Sequence, residues 1–93
     1  MSAKKRVKLL ISGRVQGVGF RFNTKRKAKK LRVKGWVKNL DNGKMKAVVE
    51  GEEKDLEKLI EWAKKGPFTA KVTDTDIEFE DYKGEFNKFK IER

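Results

Sequence analysis

Apolar and polar side chains alternate early in the chain, with Val7, Leu9 and Ile11 set against Lys8, Leu10 and Ser12. A period of two puts the first three on one face of a strand. A glycine-rich stretch, 13–19, interrupts the alternation, and the period then lengthens. Phe20, Thr24, Ala28 and Leu31 fall on one side of a helix, with Thr24 the weak member of the stripe. Residues 34–40 and 44–51 read as a second and third strand. Between them Asn42-Gly43 is a strong hairpin signal, because both residue types tolerate positive φ.

Leu56, Leu59, Ile60 and Ala63 mark a second amphipathic helix. Glu52, Glu53 and Asp55 lie at its start and Lys64 and Lys65 in its last turn, which suits the helix dipole at both ends. Gly66-Pro67 is a stop signal. Residues 72–79 predict a fourth strand and 86–92 a fifth, with a turn at Lys83-Gly84. The order is β-α-β-β-α-β plus a terminal strand. It predicts an α+β ferredoxin-like sandwich: an antiparallel sheet of four to five strands with two helices on one face. Residues 1–93 are expected to form a single domain.

Composition narrows the chemistry. At 37% hydrophobic and 42% charged residues, with apolar positions spaced as elements, the chain reads as folded and very soluble. It has no Cys and no His. This excludes a disulfide framework, a thiolate nucleophile, a zinc-thiolate site and any Ser-His or Cys-His dyad. No cofactor and no metal site is expected. The basic start is followed by no apolar stretch of signal-peptide length, and Leu9-Leu10-Ile11 is far short of a membrane span. These features predict a cytoplasmic protein without a membrane partner.

Charge is uneven. Net charge is +11, with residues 1–46 carrying +15 and residues 47–93 carrying −4. Lys25, Arg26, Lys27, Lys29 and Lys30 read either as the solvated face of the first helix or as a surface for anions. Small size and strong net charge point to a monomer.

The stretch Gly13-Arg14-Val15-Gln16-Gly17-Val18-Gly19-Phe20-Arg21 joins the first strand to the first helix. Its glycines let successive backbone N–H groups aim at one point, and the helix adds its own unpaired N–H groups and positive dipole end. Such a nest suits an oxyanion, and Arg21 could grip the same anion with its guanidinium. An ordinary strand-to-helix turn would use glycine as well. The stretch is neither a Walker loop nor a dinucleotide fingerprint.

That run resembles the signature of the acylphosphatase family. The segment Gly35-Trp36-Val37-Lys38-Asn39, with the turn glycine Gly43, resembles the family's second motif, and Gly51, Gly66-Pro67 and Gly84-Glu85-Phe86 fall where relatives have them. The resemblance covers nearly the whole chain. It implies hydrolysis of acyl phosphates to a carboxylate and inorganic phosphate. It also implies roles: Arg21 binds phosphate, Asn39 positions the attacking water, and backbone amides of Gln16, Gly17, Val18, Gly19 and Phe20 hold phosphate oxygens. Without the resemblance, Asn39 reads as a cap on the following hairpin. Trp36 and Trp62 read as packing residues.

Two residues depart from the family pattern, Asn23 near the helix start and Phe68 after Gly66-Pro67, and they put loop shape and substrate preference in question. Two other readings compete. A small basic RNA-binding module shares the element order, but the first strand shows no aromatic for base stacking; non-specific contact with nucleic acid through the basic half stays open, a dedicated partner is not expected. A carbamoyl-phosphate-handling regulatory domain occurs in larger hydrogenase-maturation proteins, whose cysteine-rich segments this chain lacks. A free-standing enzyme is the expectation.

Overall fold

Residues 3–92 are described by the structure, a computed structural model. The early alternation becomes β1 (Lys4–Arg14), with Val7, Leu9 and Ile11 buried. The longer period becomes α1 (Phe20–Leu31), which buries Phe20, Thr24 and Ala28. Thr24 tolerates the core because its Oγ1 donates to the Phe20 carbonyl at 2.8 Å. The chain continues through β2 (Lys34–Asn39), β3 (Met45–Glu52), α2 (Glu53–Lys65), β4 (Lys71–Asp81) and β5 (Phe89–Glu92). The hairpin between β2 and β3 closes as its Asn-Gly pair suggests: Leu40 N–H donates to Lys44 O at 2.8 Å, and Asn42 Oδ1 accepts from Lys44 N–H at 3.0 Å.

The strands form one five-stranded sheet in the order β4-β1-β3-β2-β5. Both helices cover one face, and a single apolar cluster runs from Val7, Leu9 and Val49 of the sheet to Phe20, Leu56 and Leu59 of the helices. This is the ferredoxin-like sandwich read from the element order.

The last strand differs from the all-antiparallel expectation. β5 pairs with β2 in parallel, at the edge farthest from β4. The connection must therefore cross the end of the sheet, and a buried carboxylate fastens it there. Glu50 of β3 accepts from the N–H groups of Lys83 at 2.7 Å, Gly84 at 3.2 Å and Glu85 at 3.1 Å, and from Arg6 at 3.4 Å. Burial alone would push the Glu50 carboxyl up. The hydrogen bonds from Lys83, Glu85, Gly84 and Arg6 outweigh it and hold the group below its ordinary value. Residues 86–88, read from sequence as strand, belong to this crossing. The Phe86 ring lies beneath the Arg6 guanidinium, 5.2 Å from its centroid, instead of entering the ladder.

Candidate active site

β1 ends at Arg14 and α1 begins at Phe20, so the glycine-rich loop between them lies at one end of the sheet. β2 finishes and β3 starts at that same end, since Ile11 faces Met45 and Met45 faces Asn39. The fold thus brings Arg21 and Asn39 together. A cavity of about 180 Å³ is lined by Gly17, Gly19, Phe20, Arg21 and Asn39, joined by Val15, Phe22 and Ile91. Gln16 and Val18 do not line it. Val18 packs against the core, and Gln16 sends its side chain to the hairpin.

The loop is held from three sides. Gln16 Nε2 donates to Leu40 O at 2.7 Å and to Lys44 O at 3.0 Å, locking the loop to the hairpin after Asn39. Thr69 Oγ1, from the segment after α2, donates to Val18 O at 2.7 Å. Asn23 donates to Gly19 O twice, from its backbone N–H at 3.0 Å and from Nδ2 at 2.8 Å. In a trans peptide the N–H points opposite the carbonyl. Occupying the carbonyls of Val18 and Gly19 therefore leaves the N–H groups of Gly19 and Phe20 directed the other way. The N–H groups of residues 16–19 donate no backbone hydrogen bond to another described residue.

Glycine is required here by backbone angle more than by space. Gly17 has φ +73° and Gly19 φ +76°, and a Cβ on Gly17 would meet nothing within 4 Å. An L side chain at such a φ costs about 1–2 kcal/mol. The Phe20 ring anchors the start of α1. It is buried in the core and meets Trp62 edge-on, with centroids 5.5 Å apart. Trp62 is thus a packing residue. α1 has no side-chain cap and no acid in its first turn. Its first N–H groups and dipole have no side-chain partner, an arrangement that can take up an anion. Every ion pair among the described residues involves Arg6, Lys8 or Lys64, so Arg21 has no carboxylate within 4 Å.

Asn39 does not cap the hairpin; Asn42 does. Asn39 Oδ1 is buried and has no hydrogen-bond partner, an acceptor that a bound water would satisfy. No group of three or more acidic, His or Cys side chains capable of holding a metal occurs among the described residues. No helix among them is long and apolar enough to cross a membrane.

Two lining residues, Phe22 and Ile91, and the side-chain role of Gln16 escaped the sequence reading. Gln16 acts through its side chain on residues 24 and 28 positions away, and Ile91 arrives from the far end of the chain. Neither leaves a local signature. Phe22 adjoins Arg21 and interrupts the polar run of α1, a signal that was available.

The acylphosphatase family profile matches residues 7–91. A curated acylphosphatase of Acaryochloris marina is 48% identical, over 94% of this chain and 92% of its own length. The crystal structure of acylphosphatase from Bacillus subtilis aligns with a TM-score of 0.90 at 37% identity, covering 96% of this chain and 99% of that one. Full-length HypF, in its phosphate- and nucleotide-bound form, aligns with all of this chain over 12% of its own, at a TM-score of 0.86 and 30% identity. A match that begins in β1, runs through the loop, Arg21 and Asn39, and ends in β5 makes this chain a member of the acylphosphatase family.

Proposed function

We propose that this chain hydrolyses the carboxyl-phosphate bond of acyl phosphates without a metal or cofactor, through substrate-assisted attack of water. Arg21 and the loop amides from Gln16 to Phe20 hold the phosphoryl oxygens. Asn39 holds a water in line with the phosphorus. The water oxygen bonds to phosphorus, the bond from phosphorus to the acyl oxygen breaks, and the carboxylate leaves with that electron pair. The proton of the water passes to a phosphoryl oxygen of the substrate, so no protein base is required. Catalysis then consists of positioning and of stabilising charge on the phosphoryl oxygens.

The observation that carries this reading is one cavity shared by Arg21, Asn39 and the uncapped, acid-free start of α1. The buried, unpartnered Oδ1 of Asn39 supports the water-holding role. Benzoyl phosphate hydrolysis in EDTA tests it. Wild type should turn over, and Arg21→Ala and Asn39→Ala should each lose at least about a hundredfold in rate while keeping the wild-type circular dichroism, the usual effect of removing one positioned donor. A folded wild type without turnover, or variants within a fewfold of it, would sink the mechanism.

The same proposal takes residues 1–93 as one domain acting as a cytoplasmic monomer, checked by light scattering. It assigns no dedicated nucleic-acid partner, since the outward residues of β1 are Lys8, Leu10 and Ser12 and offer no stacking platform.

A further inference from the structure

The loop, the helix start and Arg21 address the phosphate half of the substrate. Two apolar side chains in the same cavity are left to address the other half. Phe22 is 58% exposed and Ile91 36% exposed, and both line the cavity that holds Arg21 and Asn39. They come from different elements. Phe22 succeeds Arg21 on α1, and Ile91 stands on β5 beside Val37, on the helix-covered side of the sheet.

Exposure of a single apolar residue needs no explanation by itself, and Phe68, 99% exposed, is such a case outside the cavity. Phe22 differs in three ways. It shares a concave surface with the reacting groups, it has an apolar partner in that surface, and its ring is steadied. Arg26, one turn further along α1, holds its guanidinium 5.8 Å from the ring centroid. A ring fixed in this way offers a flat apolar surface at low entropic cost.

We propose that Phe22 and Ile91 form an acyl subsite that favours acyl phosphates with an aromatic acyl group over those with a small one. The proposal rests on the acyl phosphate reading of the site. With phosphate held in the loop, the acyl group leaves the cavity along the Phe22–Ile91 side and stacks on the ring. Small acyl groups reach neither residue and gain only the phosphate contacts.

The test compares kcat/KM for benzoyl phosphate and acetyl phosphate in wild type, Phe22→Ala, Phe22→Leu, Ile91→Ala and the control Phe68→Ala. The intrinsic reactivities of the two substrates cancel when each variant's ratio is divided by that of wild type. Phe22→Ala should lower the benzoyl-to-acetyl ratio about tenfold, the low end for loss of an apolar contact to substrate, mostly through KM for benzoyl phosphate. Ile91→Ala should lower it less, Phe22→Leu should restore part of it, and Phe68→Ala should not move it. Turnover of both substrates with an unchanged ratio in Phe22→Ala and Ile91→Ala would overturn the subsite alone. So would an equal fall for both substrates, which would mark the pair as structural. Turnover of neither substrate by folded wild type would instead overturn the acyl phosphate reading, and the subsite with it.

Discussion

At the start of α2 stand Glu53 and Asp55; in the first turn of α1 there is no acid. The C-terminal turns are alike, with Lys29 and Lys30 closing α1 and Lys64 and Lys65 closing α2. Both helices therefore satisfy the negative end of their dipoles with their own lysines, but only α2 satisfies the positive end with its own carboxylates. The entries differ as well. α2 continues directly from an extended Glu52, whereas α1 is approached through two glycines at positive φ. One helix start is completed by the protein. The other is built and held from three sides, and the protein supplies no carboxylate to complete it.

The comparison can be broken by giving α1 what α2 has. Asn23→Asp would place a carboxylate in the first turn, where Nδ2 now donates to Gly19 O. Two like unit charges about 7 Å apart, at an effective dielectric of about 40, repel by about 1 kcal/mol. Steady-state kinetics should show kcat/KM for benzoyl phosphate reduced about fivefold, chiefly through KM, with the deficit shrinking as salt is added. An unchanged KM would mean that the helix start does not face the phosphate. The converse change sharpens the contrast with a smaller effect. Glu53→Gln and Asp55→Asn should each destabilise the fold by about 0.3–1 kcal/mol in urea denaturation, with kcat/KM unaffected. A loss of activity on that scale or beyond would mean that the two helix starts are not electrically separate.

Much of the fold was legible because its signals are local. Alternation over Val7 to Ser12, the three-to-four spacing from Phe20 to Leu31 and the Asn42-Gly43 turn each need only a few neighbouring residues to be read. The parallel seat of β5 was not legible, because it depends on Glu50 gathering three N–H groups from residues 83–85 across the end of the sheet. The candidate site divides in the same way. Arg21 and Asn39 stand out through motifs, and the cavity joins them. The backing of the loop was hidden, since Gln16, Thr69 and Asn23 act through hydrogen bonds to carbonyls that no spacing predicts. Asn23 is instructive. In sequence it is only a departure from the family pattern, and in the fold it helps to orient the Gly19–Phe20 peptide.

The most direct test of an anion site at one helix start and not the other is an inorganic phosphate titration followed by amide NMR. Saturable shifts at Gly17, Gly19, Phe20 and Arg21, lost in Arg21→Ala and absent at Glu53 and Asp55, are the expected result. Equal shifts at the start of α2, or shifts confined to the lysines of α1 with the loop silent, would contradict the account.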